Sequence, residues 1–322
     1  MADETVRALS SVYARFSERE AANRSPFYVE ICRAIADDAT LLLLLATLPL
    51  EKQQPNLLLA AVKYRYGVAR DFAHFRRLVL DDWPGLRAVI LARRTQTNEP
   101  ARCATLLPVL AMLPQPLALI EVGASAGLCL LADHYAYDYG GRQVDAVHSS
   151  DDPPLFRCAA DAATPLPEKN IEVVWRAGLD INPLDPADAD DARWLSALVW
   201  PGEGEREALL QKALGLAKVH APRVVKGDLR HDLPALAAQA PKGATLVIFH
   251  TAVLAYVREA ADRRAFAETV RSLRAQWVSN ESADLFNDPR QPPAPWGGFT
   301  LSLNGRPLAH TDPHGTAIQW LG

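Results

Sequence analysis

The first third of the chain carries apolar residues at the three- and four-residue spacing of a buried helix face. Val6, Leu9 and Val12 show this spacing in the first segment. Further along, Ser25 precedes a proline, and a serine N-cap with proline at the first helical position predicts a helix start. No stretch of this region alternates apolar and polar residues as a strand would. The pattern predicts an all-helical N-terminal domain over residues 1–113.

The pattern changes after residue 113, where short apolar runs alternate with helical segments. Leu117–Val122 (LALIEV) is the nearly continuous apolar run of a strand buried on both faces. Further strands are predicted at 171–177, 223–226, 244–250 and 277–279, with helices at 128–135, 192–199, 205–218 and 262–275. Such alternation indicates crossover connections and a parallel sheet. FTLSL (299–303), followed by Asn-Gly, predicts an antiparallel hairpin. Residues 114–322 are therefore predicted as an α/β domain.

A glycine-rich turn at 120–131 (IEVGASAGLCLL) leads from the first predicted strand into a predicted helix. Helix N-termini of this kind offer backbone N–H groups to ligands, and three chemistries use such a turn. Dinucleotide binding requires GxGxxG, but Ser125 and Leu128 stand where two of the glycines belong. The nucleophile elbow GxSxG matches letter for letter, with Ser125 as nucleophile. An elbow usually sits mid-sheet, after several strands and an oxyanion loop, whereas this turn follows an all-helical segment and the first predicted strand.

The third chemistry is S-adenosylmethionine binding, whose loop has an acidic residue at the strand end and small residues at alternate positions after it. Glu121, Gly123, Ser125 and Gly127 fit this pattern. A carboxylate at that position attracts the ammonium group of the cofactor. A buried Glu121 needs such a partner, because an unpaired carboxylate in a core is costly. A tight turn that binds no ligand is the alternative that the loop alone leaves open.

Polar residues also end the later strands, and ligands of open α/β sheets bind outside the carboxyl ends of the strands. At such strand ends methyltransferases place an acid on the ribose hydroxyls of the cofactor and a residue beside its adenine, and this likeness implies these roles for Asp180 and Asp228. His250 ends the fourth predicted strand and is the predicted general base, because the pKa of histidine lies near neutrality. Tyr256 follows it and is a second catalytic candidate.

Longer motifs resemble a known family over nearly the whole chain. They are TQTNEPARCATLLP (95–108), EVGASAGLCLLADHYAYDYG (121–140), RAGLDINPLD (176–185), RWLSALVWP (193–201) and FHTAVLAYV (249–257). They resemble an uncharacterised bacterial family, domain of unknown function 2332, which looks like a distant relative of the S-adenosylmethionine-dependent methyltransferases. The resemblance implies a Rossmann-like, mostly parallel sheet of about seven strands with an antiparallel C-terminal hairpin. Two departures are an insertion at about 138–170 and a proline-rich loop, 288–298, in place of a helix.

The segment TQTNEPARC (95–103) concentrates polar side chains at the start of the helix that leads to the first strand. Asn98 suits an N-cap and Glu99 favours the first turn, so capping explains part of it. Capping explains neither Gln96 nor Arg102. We expect these four residues to bind substrate, with Arg102 available to a carboxylate or a phosphate. A capped helix whose Arg102 pairs with an acid is the open alternative.

The composition of the chain narrows the classes of partner that the protein is expected to bind. The chain has 322 residues and a formal net charge of −4, which gives no electrostatic reason to expect nucleic acid or an anionic membrane. Its most apolar run, 39–48, is about half of the roughly 20 residues that a bilayer span needs. The four cysteines form no CxxC pair and the N-terminus lacks signal-peptide features, so a cytoplasmic location is expected. His310 and His314 lie in a predicted turn, and no metal site is expected.

The sequence favours a methyltransferase-like protein that uses S-adenosylmethionine on an unidentified small molecule held between the helical domain and the sheet. Two alternatives remain at this point. One is a serine hydrolase that uses Ser125 together with a later Asp and His. The other is a non-catalytic sensor of a nucleotide-like ligand. The oligomeric state is not indicated.

Overall fold

The computed structural model describes residues 2–22, 24–96, 98–147, 152–285 and 298–321. The α-helices are α1 Ala2–Phe16, α2 Pro26–Ala36, α3 Ala39–Ala46, α4 Pro55–Tyr66, α5 Phe72–Asp81, α6 Trp83–Ala92, α7 Arg102–Ala111, α8 Ala189–Ala197, α9 Gly204–His220, α10 Leu233–Ala237 and α11 Ala260–Ser272. The strands are β1 Leu117–Val122, β2 Ala136–Asp138, β3 Gln143–Val144, β4 Leu155–Arg157, β5 Ala159–Ala160, β6 Val173–Asp180, β7 Val224–Lys226, β8 Thr245–Thr251, β9 Gln276–Ser282, β10 Phe299–Leu303, β11 Arg306–Thr311 and β12 Ala317–Trp320. Short 3-10 helices include Leu128–His134 and Leu254–Tyr256.

The chain divides into two compact units. The first comprises residues 1–97 and 188–211, and the second comprises residues 98–187 and 212–322. The first unit contains α1 to α6, α8 and the beginning of α9. This division places 98–113, which the sequence predicts at the end of the N-terminal domain, with the sheet. It places 188–211 with the N-terminal helices.

Polar N-caps fix where helices of the first unit begin. The Ser25 hydroxyl accepts a hydrogen bond from the Tyr28 N–H at 3.3 Å, and Pro26 takes the first helical position of α2, as predicted. Asp38 and Asp71 accept the corresponding N–H groups at the starts of α3 and α5. Each cap satisfies a backbone donor that the helix itself leaves unpaired.

The second unit is built around one large sheet. In the described part of the chain its order is β5-β12-β11-β10-β9-β8-β1-β6-β7. The run from β9 to β7 is parallel throughout, while β10, β11 and β12 are antiparallel to their neighbours and β5 is parallel to β12. The prediction of an α/β fold with a mostly parallel sheet is confirmed. The described strands number nine instead of about seven, because β12 and β5 extend the antiparallel edge.

Strand β1 lies in the middle of the parallel run, between β6 and β8. All six of its residues are buried, as the nearly continuous apolar run predicts. On one face, Ile120 and Val122 join a core that includes Ile248 and Phe266. The opposite face carries Glu121, the one acidic residue of this buried strand.

The segment after the glycine turn is held by buried polar contacts. Tyr135, Tyr137 and Tyr139 are buried, and their hydroxyls donate to backbone carbonyls at 2.7, 2.5 and 2.7 Å. Asp133 is fully buried and accepts two hydrogen bonds, each 2.8 Å long, from the Arg176 guanidinium. This ion pair fastens the 3-10 helix to β6.

The region of the predicted insertion, 138–170, is partly extended. A small three-stranded sheet has the order β3-β2-β4 within the described residues. The proline-rich loop predicted at 288–298 lies, except for Gly298, outside the described residues. Among the helices that the structure describes, none combines the length and hydropathy needed to cross a bilayer.

Two helix predictions need correction. The helix for which Asn98 is the predicted N-cap begins only at Arg102, and the helix predicted at 128–135 is a 3-10 helix with non-helical backbone angles at Leu131. The glycine turn is therefore followed by a tight, kinked 3-10 segment. It lacks the long α-helix whose dipole would favour an anion.

Candidate functional site

The glycine turn bends sharply at the end of β1. Gly123, Ser125 and Gly127 have φ angles of 74°, 51° and 71°, in the left-handed region that glycine adopts without strain. The Gly123 N–H donates to the Leu179 carbonyl at 2.8 Å. A Cβ on Gly123 would lie 2.3 Å from Cγ2 of Val253. The sequence needs glycine at this position because the turn packs directly against the segment after β8.

Asp180, at the end of β6, holds the turn in this shape. Its Oδ2 accepts the Ser125 N–H at 2.8 Å, and its Oδ1 accepts the Asn182 N–H at 2.7 Å. Gly178 allows the close approach, since a Cβ there would lie 2.5 Å from the Cβ of Ala124. The predicted role of Asp180 on a ribose stays a prediction. The contacts described give it a structural role in positioning the glycine turn.

Glu121 is the buried acid of the site, with 5% of its surface exposed. Its Oε2 has no hydrogen-bond partner among the described residues. Burial is the main cause that raises the pKa of Glu121 well above the ordinary carboxyl value, and the neighbouring Cys129 and Asp180 add to the shift. The positive charge of Arg102 acts to lower the pKa of Glu121. A positively charged ligand beside Glu121 would therefore stabilise the ionised form of its carboxyl group.

Arg102, the first residue of α7, lies on the same face of the sheet as Glu121. Its Nε donates to the Pro313 carbonyl at 2.8 Å, and its Nη1 donates to the carbonyl and the hydroxyl of Thr251, each at 3.2 Å. A Cβ on Gly315 would lie 2.1 Å from the carbonyl oxygen of Ala101. The turn between β11 and β12 thus packs against the first turn of α7 and fixes the arginine from both sides.

The four predicted substrate-binding residues of TQTNEPARC (95–103) belong to different units. Gln96 belongs to the first unit and Asn98, Glu99 and Arg102 to the second. The Nδ2 of Asn98 is buried without a hydrogen-bond partner among the described residues. Glu99 is buried, and its Oε2 lies 3.4 Å from Nδ1 of His314. The pairing of Arg102 with an acid, which the sequence leaves open, does not occur with any residue that the structure describes.

Asp228 lies at the end of β7 and is paired locally. The Arg230 guanidinium bonds both of its carboxylate oxygens and lowers the pKa of Asp228 to about 2. Arg230 also reaches Asp262 on α11. The predicted position beside an adenine rests on the strand end alone, since these contacts link the loop to a helix.

His250 is fully buried, and both of its ring nitrogens have partners. The Trp277 indole donates to Nε2 at 3.0 Å, so the proton of the neutral ring sits on Nδ1 and is donated to Oε1 of Glu281 at 2.7 Å. No nitrogen remains to take a proton from a substrate, and the predicted role as general base finds no support in these contacts. Tyr256 is 67% exposed, and its catalytic role stays a prediction.

The structure adds a buried polar stretch that the sequence reasoning missed. Asn280 and Glu281 on β9 are 0% and 2% exposed, and Nδ2 of the first and Oε2 of the second lack hydrogen-bond partners among the described residues. The Thr311 hydroxyl donates to Oδ1 of Asn280 at 2.7 Å. The signal was available, because SNES (279–282) continues a predicted strand with consecutive polar residues. Polar residues inside a buried strand need a partner or a function.

The fold and the site define an α/β protein whose mostly parallel sheet gathers buried polar side chains at the carboxyl ends of its central strands. A family model described as "Uncharacterized protein conserved in bacteria (DUF2332)" matches residues 10–320, and the chain belongs to this family. The family resemblance of the sequence motifs is thereby confirmed. Comparison with curated proteins and with solved structures found no match in either set.

Proposed function

We propose that the second unit binds S-adenosylmethionine at the carboxyl ends of β1, β6 and β7 and transfers its methyl group to a small molecule. The observation that carries the proposal is Glu121. A buried carboxyl group with an unpartnered oxygen is costly, and the α-ammonium group of this cofactor supplies the hydrogen bonds and the charge that the acid lacks.

The order of the parallel strands supports this placement. Numbered along the chain, the five parallel strands lie in the order 3-2-1-4-5, which is the order of doubly wound sheets. The direction of winding reverses between β1 and β8. Ligands of such sheets bind in the crevice at this reversal, and Glu121 lies there.

The residues present fit the cofactor in part. Glu121 would hold the ammonium group, and Asp180 would keep the glycine turn in the shape that lets the backbone approach the ligand. When bound, the cofactor supplies an electrophilic methyl group on a sulfonium. The chain then needs no strong acid or base, because the rate gain comes from orienting the acceptor against that methyl group. A His250 whose two ring nitrogens are both bonded within the protein is compatible with such a mechanism.

Calorimetry with S-adenosylmethionine and S-adenosylhomocysteine on the full-length protein tests the proposal. We expect binding by the wild type and about 10- to 100-fold weaker binding by Glu121→Gln, since hydrogen bonds to charged groups contribute about 1.5–3 kcal/mol. Glu268→Gln alters an exposed acid on α11 and serves as the matched control. It should leave the affinity unchanged.

Proton linkage gives a second readout. Glu121 has a raised pKa in the free protein, so an ammonium group beside it favours ionisation and the release of a proton. Titrations at a pH between the ordinary carboxyl value and the raised pKa, in two buffers of different ionisation enthalpy, should show proton release by the wild type and none by Glu121→Gln. The proposal is wrong if neither compound binds the wild type, or if Glu121→Gln binds both compounds as tightly.

One observation favours a second function. The φ of 51° at Ser125 is the kind of strained conformation that a nucleophile elbow imposes on its serine. Incubation with a fluorophosphonate probe decides between the two. Labelling of the wild type that disappears in Ser125→Ala would establish a serine hydrolase, whereas a methyltransferase gives no labelling.

A further inference from the structure

Arg102 is a buried cation that makes no ion pair with any residue that the structure describes, although its charge acts on the nearby Glu121. Its exposed fraction is 5%, and no carboxylate of the described residues lies within 4.0 Å of its guanidinium. The hydrogen bonds of Arg102 go from Nε and Nη1 to two carbonyls and one hydroxyl, all uncharged. Within the described part of the chain, Nη2 has no acceptor. Burial of an unpaired charge is costly, so native proteins normally provide a partner of opposite sign.

A second donor without a hydrogen-bond partner, the side-chain amide of Asn280, lies on the strand beside Thr251. Thr251, which bonds Nη1, lies directly opposite Asn280 in the β8–β9 register. Nδ2 of Asn280 is buried and has no acceptor among the residues described, while its Oδ1 is occupied by Thr311. An amide with its oxygen fixed in this way presents its NH₂ group. Two unused donors, one charged and one neutral, thus lie on the same face of the sheet.

The charges indicate which anion fits. The groups that act on Glu121 are the Cys129 thiol, Asp180 and Arg102, so Arg102 supplies the positive charge of this region. One cation balances a monoanion, whereas a phosphate dianion usually draws a second Arg or Lys. A carboxylate has the two oxygens that Nη2 and an amide NH₂ can share. Because other bonds already hold the guanidinium in place, little side-chain entropy is lost on binding.

The position in the sheet separates this anion from the proposed cofactor. Arg102 is bound by Thr251 at the end of β8 and by Pro313 in the turn after β11. Both lie on the β9 side of β1, whereas Asp180 and Asp228 lie on the β6 and β7 side. We propose that the methyl acceptor is a carboxylic acid whose carboxylate is bound by Arg102 and Asn280. The assignment of this carboxylate to the acceptor rests on the proposed function.

Thermal unfolding of the full-length protein with sodium acetate tests the site. Acetamide, with sodium chloride added to equal ionic strength, is the neutral isostere. We expect the unfolding midpoint of the wild type to rise with the acetate concentration and to respond far less to acetamide, because ligand binding to the folded state stabilises it. Equal responses to acetate and acetamide would overturn the proposal, as would a larger shift with inorganic phosphate.

Variants assign the response to these residues. Asn280→Asp keeps the volume of the side chain and the acceptor for Thr311 but places a carboxylate beside Arg102. The acetate response should be lost, although the protein remains folded. Arg102→Lys should lose it as well, since a lysine does not reproduce the planar fork. Arg306→Gln alters an exposed arginine on β11 and should retain the response. An acetate shift that persists in Asn280→Asp would place the anion elsewhere and refute the assignment.

A final comparison separates this proposal from the cofactor proposal. We expect the acetate shift to persist in the presence of saturating S-adenosylhomocysteine. Its loss would mean that the carboxylate of the cofactor occupies Arg102, which would overturn the assignment to the acceptor. Acetate binding without binding of S-adenosylmethionine would refute the proposed function and leave the carboxylate site in place. S-adenosylmethionine binding without an acetate response would refute the carboxylate site and leave the proposed function in place.

Discussion

Gly123 offers a sharp test of how the glycine turn is built. In Gly123→Ala the alanine would have to keep a backbone φ of 74°. Its new Cβ would lie 2.3 Å from Cγ2 of Val253. The left-handed backbone costs about 1–2 kcal/mol for a residue with a side chain. Overpacking against Val253 adds about 1–3 kcal/mol, so the free energy of unfolding should fall by about 2–5 kcal/mol. Gly140 has a φ of 78° and open space around its Cβ position, so Gly140→Ala should lose only the backbone part.

Urea denaturation of four variants measures both parts. They are Gly123→Ala, Gly140→Ala, Val253→Ala and the double variant at 123 and 253. In the double variant the obstructing methyl groups are gone, so a double-mutant cycle should return a favourable coupling of about 1–3 kcal/mol. If Gly123→Ala costs no more than Gly140→Ala, or if the cycle shows no coupling, the contact with Val253 does not explain the glycine.

Three further predictions concern charged groups, each measured by denaturant unfolding. Burial raises the pKa of Glu121, so unfolding releases its proton. The free energy of unfolding therefore falls as the pH rises from the ordinary carboxyl value through the raised pKa. Glu121→Gln should remove this fall, and an unchanged pH profile in the variant would contradict the prediction. Asp228 has a pKa lowered to about 2, so it contributes stability above the ordinary Asp value of about 3.9 that is lost as the pH falls towards 2. Asp228→Asn should flatten that acid limb, and a variant with the same limb would count against the pairing. Asp133→Asn breaks the buried ion pair with β6 and should cost about 3–5 kcal/mol. Lys212→Ala removes an exposed pair and should cost less than about 1 kcal/mol; similar costs for the two would refute the distinction.

The two central strands, β1 and β8, could be predicted because nearly all of their residues are apolar. Neither LALIEV nor TLVIFH alternates apolar and polar residues, and strands with such continuous apolar runs are buried on both faces of a sheet. The helix start at Pro26 could be predicted as well, since a cap is a local contact between neighbouring residues.

The contacts that shape the candidate site are not local, and the sequence could not indicate them. Asp180 bonds the turn at Ser125, 55 positions earlier, so a residue predicted to bind a ligand has its oxygens engaged by the fold. His250 has its nitrogens engaged by residues of β9, whose place beside β8 is known only from the sheet order. The 3-10 helix after Gly127 contains the buried Asp133, whose partner Arg176 lies on β6, and no helical periodicity reveals this contact.

The packing of Gly315 on the backbone of α7 has a consequence for biosynthesis. The Pro313 carbonyl that bonds Arg102 is made 211 residues after the arginine, so a growing chain carries this cation long before its acceptors exist. The parallel strands up to β9 are complete before the hairpin emerges. Formation of the anion site is therefore a late event, governed by one of the most distant contacts in the chain. A chain truncated after β9 should retain much of its sheet and lack the rigid arginine.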